Sequence, residues 1–143
     1  MNDTIRGVVG LIIMLAGMHE RDPDCPPQLE CSAIAVFSEA RGETIEGQIA
    51  VAEVVYQRGE PCAVIAEPGQ FRGVLDWPTP RAPEAIDDRA WRIALAASWI
   101  AQEQLWRTRC AGSTHFYAHG TVAPEWAGEP CIIGNHTFTV TEK

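Results

Sequence analysis

A chain of 143 residues provides one principal domain with room for a buried core, and too little length for two. Eleven basic side chains against nineteen acidic ones give a formal net charge of −8, which argues against a nucleic-acid partner, whose phosphates select basic surface. With 46% apolar residues the composition is that of a packed domain and not of a disordered tail.

Gly7 to Met18 reads GVVGLIIMLAGM without a charge. About a dozen apolar residues are too few for an ordinary spanning helix and suit the apolar region of an export signal. No small-x-small cleavage site follows, and Met18 stands where a lipoprotein signal needs its cysteine. Residues 1–24 therefore read either as a signal or signal-anchor, with transient inner-membrane association through residues 7–18, or as a terminal helix packed on the domain or a partner chain. Pro23, Pro26 and Pro27 hinge this segment from the domain proper, residues 25–143. Cys25, Cys31, Cys62, Cys110 and Cys131 are too widely spread for a CxxC pair or a zinc knuckle. They fit two disulfides and one free thiol in an oxidising compartment, with pairing open, or buried thiols in a cytoplasmic protein.

The first domain helix is expected from about Gln28 to Ala40. Its run Ala33-Ile34-Ala35-Val36-Phe37 leaves no solvent face, so it should be central, and Gly42 can end it. Thr44 suits the N-cap of a second helix from Ile45 to about Arg58, with Glu46 in its first turn; Gly47 inside it hints at close helix packing. Gly59 to Pro83 shows no sustained period and reads as loop, with a short strand around Gln70 to Val74. A third helix should begin near Pro83 or Asp87 and run to Trp106, because Trp91, Ala94, Leu95, Ser98, Trp99, Gln102 and Leu105 recur at helical spacing. From Gly112 the tail is aromatic and irregular until Thr137 to Thr141, whose alternation is strand-like.

Glu39 stands where the buried helix meets a glycine-containing turn. A carboxylate there is costly unless it is paired or used, which makes it either a partner for Arg41 or Arg72 or a candidate for acid–base chemistry. The segment Phe37-Ser38-Glu39-Ala40-Arg41-Gly42-Glu43, followed by Gly47-Gln48-Ile49-Ala50-Val51-Ala52-Glu53-Val54-Val55-Tyr56-Gln57-Arg58, resembles the SleB-like cell-wall hydrolases, the spore-cortex lytic enzymes and their relatives in bacteria and phages. Pro61 to Ile65, Gln70-Phe71, Gly112 to Ala118, Pro124 to Ala127 and Ile133 to Phe138 follow the family pattern in order. Gln57 replaces the family's usual asparagine, and Thr139 an aromatic residue.

The resemblance implies a mainly α, lysozyme-like fold of the lytic-transglycosylase kind with a small β element. It implies a peptidoglycan glycosidase acting between N-acetylmuramic acid and N-acetylglucosamine, with Glu39 as the catalytic acid and no cofactor. In lytic transglycosylases one glutamate protonates the glycosidic oxygen, then takes a proton from the muramic C6 hydroxyl as it attacks the anomeric carbon. A hydrolytic muramidase instead needs two carboxylates.

Glu43 is assigned to the substrate site in support, ordering the turn or a helper group. A glycan groove combines aromatic rings with polar groups. Gln70, Thr114 and Tyr117 are candidate polar contacts, Phe71 and Trp126 candidate walls, with His115 and Phe116 beside them, and each of these also reads as core. The Tyr117 hydroxyl is expected to approach Glu39.

A zinc amidase or endopeptidase built on His115, His119 and His136 is a different class. However, HFYAH lacks the glutamate of HExxH and a helix to give the spacing meaning, and His136 reads as a structural histidine. A third class is a non-enzymatic glycan-binding virion module. The partners expected are peptidoglycan glycan strands and, in a phage setting, a structural or lysis protein. The location expected is periplasmic or cell-wall-facing, free, membrane-tethered or virion-associated.

Overall fold

The computed structural model describes residues 27–67, 71 and 88–141; the apolar segment 7–18, Cys25 and Gln70 lie outside the described residues. Helix α1, Pro27–Ala40, carries the apolar run: Ala33, Ile34, Ala35 and Val36 are wholly buried, so the helix sits inside the bundle. Each fully buried Ile or Val contributes about 2 kcal/mol by leaving water. The helix stops at a turn in which the Glu43 N–H donates to the Ala40 carbonyl at 2.9 Å and Gly42 takes a φ of 92°. That left-handed conformation favours glycine.

Helix α2, Ile45–Arg58, begins as its sequence suggests: the Thr44 hydroxyl accepts from the Gly47 N–H at 3.2 Å. Gly47 is buried, but against the Glu43–Thr44 turn and Ile133 and not against another helix. A Cβ there would meet these neighbours at ordinary contact distances of 3.4–3.6 Å, so close helix packing does not explain this glycine.

Helix α3, Pro61–Ala66, occupies part of the stretch read as loop. It is too short to show a period, and its signal lies in the cap: Glu60 accepts from the N–H groups of Cys62 and Ala63, with proline in the first turn. The Cys31–Cys62 disulfide pins it to α1. The strand expected over Gln70 to Val74 has a single described residue, Phe71, which lies outside regular structure.

Helix α4, Asp88–Gln102, packs on α1 and α2 with a buried Ser32–Ser98 hydrogen bond of 3.1 Å across the α1 seam. It ends four residues before Trp106. Gln104 adopts φ 52°, its N–H donates to the Ala101 carbonyl, and the Leu105 N–H reaches back to Ile100 at 3.0 Å. This Schellman closure stops the helix although the apolar spacing continues to Leu105.

The tail is more regular than its sequence suggests. Strands β1 (His115–Ala118), β2 (Cys131–Ile133) and β3 (His136–Thr139) form an antiparallel sheet in the order β1-β3-β2. His115 pairs with Thr139 and Phe116 with Phe138. The final strand is thus His136–Thr139, with Thr141 continuing only as an isolated bridge to Ala127. Gly134 and Asn135 join β2 to β3, and the φ of 55° at Gly134 is the type II′ hairpin choice. A second disulfide, Cys110–Cys131, ties β2 to the loop after α4. Roughly half of the described residues are helical and the sheet is small, a mainly α fold of the lysozyme-like kind.

Candidate active site

A cleft of about 930 Å³ opens between the helices and the sheet. The helices supply Glu39, from the last turn of α1, with Val54 and Arg58 from α2; opposite stand β1, Trp126 and His136. Among the described residues no strand pairs the outer edge of β1, so His115, Phe116, Tyr117 and Ala118 all reach the cleft although neighbours point to opposite faces.

Alternation sorts their work. His115 and Tyr117 lie against the exposed Trp126 ring, at centroid distances of 5.1 and 6.3 Å. Phe116 turns inward to Phe71, His136 and Phe138 at 6.2, 5.2 and 5.8 Å. Phe71 is almost wholly buried, so it backs the wall and presents little surface of its own. The outer cluster offers an amphipathic shelf, apolar ring faces edged by a hydroxyl and an imidazole, suited to sugar rings.

Glu39 is half-buried and is the single carboxylate among the described residues lining the cleft. Arg41, read as its alternative partner, holds its guanidinium carbon 4.6 Å from the Phe37 ring centroid; Arg72 lies outside the described residues. Burial, and then the nearby Arg58 charge, push the His115 imidazole below its ordinary pKa, only partly countered by Glu67. Thr114 does not line the cleft; its hydroxyl sits 3.0 Å from His115 Nδ1 and orients that ring.

Glu43 likewise stands behind the wall. Its Oε1 accepts from the Asn135 N–H at 3.2 Å and lies 3.4 Å from His136 Nδ1, close enough to pair with a protonated imidazole without hydrogen-bond geometry. A Cβ at Gly134 would meet Glu43 Oε2 at 2.7 Å, so the carboxylate occupies the space that the glycine leaves.

The structure thus gathers Glu39, Phe71, His115, Phe116, Tyr117 and Trp126 around one cleft and sets Glu43 and Thr114 one layer back. It adds Arg58, which was not singled out from sequence, and brings to the cleft His136, weighed there only as a zinc ligand or a structural histidine. Arg58 reads as a helix-end cation, and only the arrival of the sheet gives it a cleft to face. Of the histidines weighed for zinc, His119 approaches Thr137 at 3.4 Å, and among the described residues no group of three or more metal-ligating side chains gathers.

The cell wall hydrolase family matches residues 42–139, a stretch that begins three residues after Glu39. Two solved structures are similar. The catalytic domain of the Bacillus cereus SleB protein is 26% identical at a TM-score of 0.59, over 78% of this chain and 88% of that one. The catalytic domain of the germination-specific lytic transglycosylase SleB from Bacillus anthracis is 26% identical at 0.60, over 82% and 98%. No curated protein matches the chain. The chain belongs to the cell wall hydrolase family and is a peptidoglycan-degrading, cell-wall-facing enzyme.

Proposed function

We propose that the protein is a lytic transglycosylase that cuts the glycan strand between N-acetylmuramic acid and N-acetylglucosamine, with Glu39 as its single acid and base. The observation that carries this reading is the Glu39 carboxylate, the single one among the described residues lining the cleft, set across from the aromatic shelf. A hydrolysing glycosidase places two carboxylates about the bond, and one suffices when the nucleophile is already part of the substrate. Glu39 gives its proton to the glycosidic oxygen as the bond to muramic C1 breaks. The acetamido oxygen steadies the cationic carbon. The Glu39 carboxylate then takes the C6 hydroxyl proton as that oxygen closes on C1, leaving a 1,6-anhydro end and restoring the acid. Trp126, Tyr117 and His115 hold the sugars, with Gln70 a further polar contact, while Thr114 and Glu43 fix His115 and His136 from behind.

The similarity to a protein described as a germination-specific lytic transglycosylase supports this over a muramidase. Mass spectrometry of fragments from purified peptidoglycan tests it. Anhydro ends are expected, whereas reducing ends would make the enzyme a hydrolase and released stem peptides an amidase. Glu39→Gln should lower turnover about a thousandfold while the fold persists, the scale of a lost general acid.

Residues 25–143 are on this reading the glycosidase domain, delivered by residues 1–24 as a signal or anchor. No helix among the described residues is long and apolar enough to cross a membrane. Loss of membrane or envelope fractionation on deleting residues 1–24 is the expected result.

A further inference from the structure

Arg58 is the single fixed cation among the described residues that line the cleft, in a chain of net charge −8. Two ordinary reasons account for an arginine at this point: it complements the negative end of the α2 dipole, and its Nη2 donates to Glu67 Oε2 at 2.9 Å. Neither accounts for its direction. The Arg58 side chain is only 15% exposed, whereas Glu67 is 51% exposed, and an ion pair with so wet a partner contributes about 0–1 kcal/mol. Such a pair forms as well on open surface. The guanidinium instead comes close enough to His115, on the shelf opposite, to act on its titration.

A guanidinium offers five N–H donors in a planar fork matched to carboxylates. Among the described residues the ion pair engages one nitrogen of a side chain that lines a cleft whose other described lining is neutral apart from Glu39 and the histidines.

We propose that Arg58 binds a carboxylate borne on the muramoyl side of the glycan, so that the enzyme prefers carboxylate-bearing strands to neutral ones. This rests on the glycan reading above. Muramic acid differs from its neighbour in the strand by a lactyl ether, which ends in a free carboxylate on bare glycan or continues into a stem peptide with carboxylates of its own. Both present the same planar anion to the fork, and a charge-assisted pair in a shielded cleft discriminates strongly against an amide.

The experiment uses the full chain and three forms of one glycan: peptide-bearing, stripped of peptide by an amidase, and stripped then amidated to neutrality. The wild type should favour carboxylate-bearing over amidated glycan by about tenfold or more in kcat/KM, chiefly through KM, the scale of one charged hydrogen bond. Arg58→Gln should bring that ratio close to one, and Glu67→Gln, which frees the fork, should widen it. Preference for the stripped form over the amidated one names the lactyl carboxylate as the source; preference confined to the peptide-bearing form names the stem peptide. Equal turnover of all three forms by the wild type, or a ratio that survives Arg58→Gln, overturns the proposal. Should Arg58→Gln not fold, an unchanged ratio in Glu67→Gln overturns it instead. Co-sedimentation of protein with the three glycans reads the same preference without turnover, so an enzyme that yields no glycan fragments defeats the glycosidase reading and leaves Arg58 separately tested.

Discussion

The helical half and the sheet half of this molecule are held in different ways. Helices α1, α2 and α4 meet through small and branched apolar side chains, with Ile34, Val36, Ile49, Val51, Val55 and Ile100 almost wholly buried. The sheet has its own aromatic cluster and shares the helical core through Ile133 and Phe138, but covalent and polar bonds add to its attachment. Cys131 is bonded to Cys110, and Arg109 joins Glu46 at 3.1 Å and also donates to the Ile132 carbonyl. Glu53 accepts from the Thr108 N–H at 3.1 Å and from its hydroxyl, and Glu43 accepts from Asn135. Three glutamates from the α1–α2 turn and α2 thus hold the segment that frames the cleft. Apolar burial supplies stability without fine direction, whereas directional bonds fix position at modest net energy. The cleft lies on the seam, taking its carboxylate from the helical half and its aromatic shelf from the sheet half.

Three measurements probe that contrast, from the largest effect to the smallest. Ile34→Ala, which opens a cavity in the centre of α1, should lower unfolding free energy by about 3–4 kcal/mol in chemical denaturation while the folded fraction keeps its KM. A rise in KM would mean that the shelf depends on helical packing after all. Replacing Cys110 and Cys131 together by serine releases a loop of sequence separation 21 and should cost about 3 kcal/mol. Here loss of glycan binding should precede loss of far-ultraviolet helix signal on heating. A single coincident transition would show the two halves to be one cooperative unit.

The smallest effect concerns pH. Burial raises the Glu53 carboxyl above its ordinary value, against the lowering influence of the Thr108 hydrogen bonds and Arg107. A raised folded-state pKa favours the protonated form in the native state. Its stabilising contribution is therefore complete below the unfolded value near 4.5 and disappears as pH rises through the folded value. Midpoints of denaturation should fall slightly over that upward window, and Glu53→Gln should flatten the slope; an unaltered slope would show that other groups set it.

The helical half was largely legible in the sequence because its signals are local. The apolar run of α1, the Thr44 cap and the α4 stripe each lie within a few turns of chain. Even there the Schellman closure at Gln104 ended α4 against its apolar spacing. Of the sheet only the last strand was legible locally, in the alternation from Thr137, and the small β element as a whole came from the family resemblance. His115–Ala118 is too short to show alternation, and its partner His136–Thr139 lies some twenty residues on, so pairing and not propensity makes it a strand. The aromatic shelf was recognisable by residue type and family order, but Arg58 and His136 join the cleft only through that pairing.

Among the described residues the outer edge of β1 has no partner strand, and that openness bears on self-association. An enzyme acting on a long polymer must leave a wall uncovered, and an uncovered sheet edge is where protein chains adhere to one another. Here the edge is four residues long, and the Ala118–Thr121 turn closes its far end, with the Thr121 N–H and hydroxyl both donating to the Ala118 carbonyl. A run so short gives a second polypeptide too few ladder bonds to stay, so the wall open to the polymer resists self-association.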